Sequence, residues 1–100
     1  MKLKQDKFRK RRGDSSRLLD LKCGKCNQHL FFYQKDGSGI IKRLYLDRIY
    51  PATSKGKQLL CAKCKEVVGT LIIYKKENRL AYRIFVGAIN KQIVPASYIK

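Results

Sequence analysis

The residues of this chain that could do chemistry are four cysteines in two Cys-x-x-Cys pairs, Cys23-Gly24-Lys25-Cys26 and Cys61-Ala62-Lys63-Cys64. No cysteine is left over. This spacing lets two knuckles close a tetrahedral thiolate cage around one Zn2+, with Cys23, Cys26, Cys61 and Cys64 filling every position. A filled cage leaves no place for water or substrate, so the expected zinc is structural. Four thiolates also suit an iron–sulfur cluster, and spacing alone does not separate the two metals. Two disulfides would need an oxidising compartment, yet Met1-Lys2-Leu3-Lys4-Gln5-Asp6 opens a charged stretch without an apolar leader core. A thioredoxin-like site would be a single pair opening a helix, whereas here the pair is duplicated between strand-like flanks.

A zinc held by four thiolates is formally dianionic, and Lys22, Lys25, Lys63 and Lys65 stand within or beside the knuckles to offset it. Backbone N–H groups of each turn are expected to donate to the sulfurs. Asn27 follows the first knuckle, where a left-handed residue is useful and Asn tolerates it; Lys65 at the equivalent place fits less well. His29, the single histidine, is expected beside the cage or at the surface, because the cysteines already complete the shell. There is no paired-carboxylate motif, no Gly-rich phosphate loop and no cysteine left free once metal binds. A closed shell cannot activate water, so the chain is expected not to be an enzyme and to have no small-molecule substrate.

The elements that must position this cage read as strands. Leu19 and Leu21 alternate into the first knuckle, and Leu30–Lys35 is an aromatic-rich strand. Asp36-Gly37-Ser38-Gly39 reads as a tight turn, from which Ile40–Ile49 returns as one long strand ended by Pro51. Thr53–Lys57 is a basic loop. In the second half, Leu59-Leu60 leads into its knuckle, and Val67–Tyr74 is an apolar strand. A charged turn at residues 75–79 follows, and Leu80–Ile89 comes back with Leu80, Tyr82, Ile84 and Val86 on one face. Ile93-Val94 could add a short strand. The repeat Leu21-x-Cys23-x-Lys25-Cys26 and Leu59-x-Cys61-x-Lys63-Cys64 predicts two knuckle-plus-hairpin units meeting at one metal. The expected fold is therefore mostly β: a small antiparallel domain over residues 18–100, preceded by a disordered basic arm over residues 1–17.

Two knuckles each serving a hairpin resemble the zinc ribbon. A closer local resemblance is to the Yippee-like, or β-tent, zinc proteins. Cys23-x-x-Cys26-x-x-His29-Leu30 is similar to their first motif, and Cys61-x-x-Cys64 with Gly69, Tyr74 and the strand around Tyr82–Ile84 is similar to their second. The resemblance spans residues 21–86. It implies the four cysteine ligands, and the basic arm lies outside it.

Charge supplies the remaining clue. Lys and Arg total 24 against 7 acids, a formal net charge of +17 in 100 residues. Self-repulsion of that size disfavours a compact state and points to a polyanionic partner, nucleic acid before an anionic membrane surface. No apolar run approaches the ~20 residues of a membrane span, and the chain is expected in the reducing cytoplasm. The leading expectation is a zinc-stabilised RNA-binding protein, a ribosomal or ribosome-associated component. It would contact rRNA, and neighbouring ribosomal proteins, within a ribonucleoprotein. Lys7, Arg9, Lys10, Arg11, Arg12 and Arg17 would contact phosphate from the arm, with Phe8 available to stack on a base. Lys42, Arg43, Arg48, Lys75, Lys76, Arg79 and Arg83 would do so from the hairpins. Tyr33, Tyr45 and Tyr50 are readable as stacking residues or as core. The arm is also readable as a solvated tail or a localisation signal, with the binding arm the favoured reading. The alternatives are a DNA-binding ribbon of the transcription machinery and a β-tent module for a protein or ligand.

Overall fold

Strand β1 (Ser16–Cys23) runs into the first knuckle and β2 (His29–Asp36) runs out of it, so the knuckle is itself the hairpin turn. The computed structural model describes residues 3, 6–11, 13, 15–37, 39–50 and 56–98. Leu19 lies opposite Tyr33 and Leu21 opposite Phe31, and all four side chains are buried on one face. A one-residue slip between Leu21 and Lys22 then brings Lys22 opposite His29, the sort of bulge that re-aims a chain at a sheet end.

The second half follows the same plan. Strands β5 (Gln58–Leu60) and β6 (Val67–Tyr74) flank the second knuckle, and a charged turn leads to β7 (Arg79–Ile84). Gly69 sits where a Cβ would lie 2.5 Å from the Arg83 carbonyl oxygen, so only glycine lets β6 and β7 approach there.

The two units are not independent hairpins. The expected continuous strand Ile40–Ile49 is broken into β3 (Arg43–Tyr45), a 3-10 turn (Leu46–Arg48) and β4 (Ile49–Tyr50). Gly37 and Gly39 adopt positive φ as the turn reading implies, yet the chain leaves β2 there and crosses to the other sheet. The reason is one of phase. Leu44 and Ile49 are an odd number of residues apart, so one unbroken strand would aim them at opposite faces. The 3-10 turn resets the alternation, and both enter the same core. The resulting sheets are β4-β2-β1-β8 and β3-β7-β6-β5, each antiparallel, where β8 is Ile89–Val94. Each half of the chain thus lends a strand to the other half's sheet: β3 pairs with β7, and β8 pairs with β1.

Between the sheets lies one core of Leu19, Leu21, Phe31, Tyr33, Leu44, Ile49, Leu59, Val68 and Tyr82. The face expected on the last long strand is only half right. Tyr82 is buried and Ile84 partly so, but Leu80 is 49% exposed and Val86 lies in solvent beyond the strand end. Arg79 and Ala81 on the opposite face are buried instead, with Asp47, Glu77 and the rings of Tyr45 and Phe8 closing over Arg79.

Part of the stretch expected as a disordered arm has structure. A short helix α1 (Lys7–Arg11) is capped by Asp6, whose Oδ1 accepts the N–H groups of Phe8 and Arg9 at 3.1 and 3.2 Å. A single turn of helix is unstable alone. This one is pinned by Asp6 to Arg48 and by Phe8 to Arg79. The first strand begins at Ser16, two residues before the expected start of the domain. Arg12, Asp14, Ser38 and residues 51–55, where Pro51 is expected to end a strand and Thr53 to open a basic loop, lie outside the described residues.

Candidate metal centre and basic surface

Each knuckle is built by the same two hydrogen bonds. The Cys23 N–H donates to the Gln28 carbonyl (2.8 Å) and the Asn27 N–H to the Cys23 carbonyl (2.9 Å). Cys61 N–H to Glu66 (3.0 Å) and Lys65 N–H to Cys61 (2.9 Å) repeat the pattern. Closing the turn needs a left-handed residue, and Asn27 (φ 63°) and Lys65 (φ 64°) both supply it. Lysine meets this demand against its usual preference, by about 1–2 kcal/mol. The sequence repeat is therefore also a backbone repeat, down to the residue that suits it less well.

The repeat brings Cys23, Cys26, Cys61 and Cys64 together, their sulfurs all within 4.8 Å of one another. Across the knuckles, Sγ of Cys23 lies 3.7 Å from that of Cys64, and Sγ of Cys26 lies 3.5 Å from that of Cys61. No pair among them is a disulfide. A tetrahedral ion with metal–sulfur bonds of about 2.3 Å would set the sulfurs about 3.8 Å apart. The four cysteines are placed to hold one metal ion. Cys23 and Cys61 are buried, and Cys26 and Cys64 are partly open.

Local electrostatics prepare the sulfurs for a cation. Backbone N–H groups of Cys64 and Lys63 donate to Cys61 and hold its thiol down to about 6, against the cost of burial. Those of Cys26 and Lys25 lower Cys23 in the same way. Cys64 receives the Glu66 N–H, yet burial and the three neighbouring sulfurs push it up to about 11. Four sulfurs in this volume cannot all ionise unless a positive ion sits between them. Outside the cage, Lys25 of the first knuckle bridges to Glu66 beyond the second at 3.2 Å.

The first knuckle is seated more firmly than the second. Gly24 N–H donates to the Ala88 carbonyl (2.8 Å), and a Cβ on Gly24 would lie 2.2 Å from the Gly87 carbonyl oxygen. Ala62 at the matching place is exposed. The turn between β7 and β8 thus holds the cage from outside, a role that only tertiary contact reveals. His29 is not a member of the sulfur cluster. It is exposed, its Nδ1 2.6 Å from Asp20 Oδ1 and its ring 4.9 Å from that of Phe32.

The residues expected to meet phosphate divide into three groups. Lys7, Lys10, Arg11, Arg17, Lys42, Lys75, Lys76 and Arg83 are exposed, and Arg9 and Arg43 are half-buried. Arg12 lies outside the described residues. Arg48 and Arg79 are placed differently from the expectation, for both guanidiniums are inside and engaged.

Arg48 is 1% exposed and donates to Asp36 (2.9 Å) and Asp6 (2.5 Å). Burial opposes its charge, but the hydrogen bonds it donates to Asp6 and Asp36 outweigh it and raise its pKa. Gln34, Ser16 and Tyr50 complete this buried network around Asp36. Arg79 donates to Asp47 (2.6 Å) and Glu77 (2.9 Å), and lies between the rings of Tyr45 and Phe8 at 3.8 and 4.0 Å. Phe8, expected to stack on a base, stacks here on Arg79. Tyr33, Tyr45 and Tyr50 are buried and belong to the core reading. Burial pushes the Tyr33 hydroxyl up, and it accepts the Tyr45 N–H at 3.0 Å.

A cleft of about 750 Å3 opens beside β3, β7 and β8, and Phe85 is the one aromatic among the residues lining it. No helix among the described residues is long and apolar enough to cross a membrane. No protein-family model matches this chain, and neither a curated protein nor a solved structure does.

Proposed function

We propose that the protein is a zinc-stabilised RNA-binding module, a ribosomal or ribosome-associated component that meets phosphate through its exposed Lys and Arg residues. One observation carries the reading. The six carboxylates of the described residues are all used inside the protein. Asp6 and Asp36 pair with Arg48, Asp47 and Glu77 with Arg79, Glu66 with Lys25, and Asp20 with His29. Lys7, Lys10, Arg11, Arg17, Lys42, Lys75, Lys76 and Arg83 have no carboxylate partner among the described residues. A formal charge of +17 is then largely a surface charge, and counterion release onto a polyphosphate is the physical return for carrying it. Arg48 and Arg79 are left out of the contact set and serve the fold instead.

Zinc is the proposed ion, bound by Cys23, Cys26, Cys61 and Cys64, because the sulfur separations suit a single four-coordinate centre. The ligands of an iron–sulfur cluster would reach separate iron atoms. The cleft lining, cationic and aliphatic with a single aromatic, favours a polyanion over the ligand pocket of an interaction module.

The direct test is fluorescence anisotropy of a labelled RNA fragment against the metal-loaded protein from 50 to 300 mM salt. The reading expects affinity falling linearly in log–log form, with a slope steeper than about −4, equivalent to roughly five or six phosphates at 0.7–0.9 per contact. Absence of binding at 50 mM salt rejects it.

A further inference from the structure

Two like-charged cross-strand pairs stand at the surface. Arg17 lies opposite Lys35 on β1 and β2, and Arg43 lies opposite Arg83 on β3 and β7. Like charges directly opposite in an antiparallel pair destabilise the sheet. No carboxylate of a described residue pairs with Arg17, Arg43 or Arg83. Arg43 spreads over the Tyr74 ring at 4.0 Å, a contact that leaves its charge in place.

The two pairs line neighbouring clefts. Arg17, Lys35 and Lys91 border one of about 460 Å3, and Arg43, Arg83 and Lys91 border the one of about 750 Å3. A third, of about 330 Å3, shares Lys35 and Gly37 with the first and residues 40–43 with the second. The three join into a band that crosses from one sheet to the other. Asp36, the one acid among its described lining residues, is buried and bound to Arg48. Its walls also carry exposed apolar groups: Ile40 (75%), Phe85 (46%), Val86 (105%) and Ile93 (59%).

We infer that this band is the seat of a single-stranded RNA segment. The segment's phosphates lie on Arg17, Arg43, Arg83 and Lys91, and its unstacked bases lie against Ile40, Phe85 and Val86. A duplex keeps its bases stacked inside and offers nothing to the apolar groups, whereas a single strand offers both phosphate and base faces. The inference rests on the RNA reading above and names the form of RNA that the reading leaves open.

The test compares two variants of the metal-loaded full chain. Arg17→Gln/Arg83→Gln/Lys91→Gln strips the band, and Lys10→Gln/Lys75→Gln/Lys76→Gln removes equal charge from α1 and the β6–β7 turn. Each is titrated against a labelled mixed-sequence single strand and an RNA duplex. The native chain should prefer the single strand. The band variant should lose at least tenfold on the single strand, with a salt slope shallower by about 2 (roughly 0.7 per phosphate). The control should weaken both RNAs by one common factor.

Equal single-strand losses in the two variants would overturn the band while leaving RNA binding intact. A native chain that binds duplex as tightly as single strand would overturn the form assigned. A native chain that binds neither removes both readings. The band variant should also melt at or above the native temperature, since Arg83→Gln removes the Arg43–Arg83 repulsion. A lower melting temperature would contradict the claim that Arg43 and Arg83 repel each other.

Discussion

Removing the metal should unfold this protein. A structural zinc in small thiolate sites contributes about 10–16 kcal/mol of apparent binding energy, coupled to folding. A chain of 100 residues has a total stability of roughly 5–15 kcal/mol. The metal energy therefore matches or exceeds everything else the fold has in hand. The structure says where the loss would fall. Both close sulfur contacts, Cys23 with Cys64 and Cys26 with Cys61, join one knuckle to the other, and each knuckle terminates strands of a different sheet. Without a cation, four buried or half-buried sulfurs crowd one volume, and the sheets are held at that end by the Gly24–Ala88 hydrogen bond and the Lys25–Glu66 pair. The assay is chelator titration followed by near-UV circular dichroism, with a colorimetric zinc indicator reporting release. Six tyrosines and no tryptophan supply the signal, and Tyr33, Tyr45, Tyr50 and Tyr82 are buried in the folded chain. One metal per chain should leave in step with loss of the tyrosine signal, and Cys61→Ser should behave as the chelated protein does. A metal-free chain that keeps its signal and melts cooperatively within a few degrees of the loaded one would refute the reasoning.

Three further perturbations probe the supports of the site. Gly24→Ala puts a methyl group into the Gly87 carbonyl, so the first knuckle must lift away; metal affinity measured by competition should fall at least tenfold, and unchanged affinity would contradict the seating. Arg48→Met leaves buried Asp36 without its cation and should cost about 3–5 kcal/mol in urea melts, whereas a neutral result would mean that the network adds little. Asp6 is held down to about 2 from its model-compound 3.8: burial opposes this, but the Arg48 guanidinium and the N–H groups of Arg9 and Phe8 outweigh it. Because the folded value is the lower one, arm docking contributes stability in full above about pH 4 and loses it as pH falls towards 2. The amide resonances of Phe8 and Arg9 should shift together with a midpoint below 3, and a midpoint at or above 3.8 would contradict the pairing.

Local features of this fold were legible in the sequence, and long-range ones were not. The cysteine cluster follows from spacing alone, since a Cys-x-x-Cys turn prescribes its own hydrogen bonds wherever it sits. Strand β6 was readable to the residue because Val67–Tyr74 is one apolar run between polar turns. The break at residues 46–48 was hidden, because it answers to β3 finding β7 across the chain, and nothing near Leu46 announces that partner. The pairing of β8 with β1 is non-local in the same way. In the sequence Arg48 and Arg79 look like surface cations, the usual fate of arginine. Their burial depends on Asp6, Asp36, Asp47 and Glu77 meeting them, three of which come from other elements. The spacing of Asp6 and Phe8 in an otherwise basic arm was the available signal, an N-cap and an aromatic two residues on, but it points to docking only once its targets are known.

The most direct measurement on the central claim is sucrose-gradient sedimentation of the native protein from lysate, with and without ribonuclease, following zinc in the same fractions. The account predicts that protein and zinc migrate together with a ribonucleoprotein particle through a moderate salt wash, and that ribonuclease returns both to the top. Protein at the top of the gradient under both conditions would contradict it.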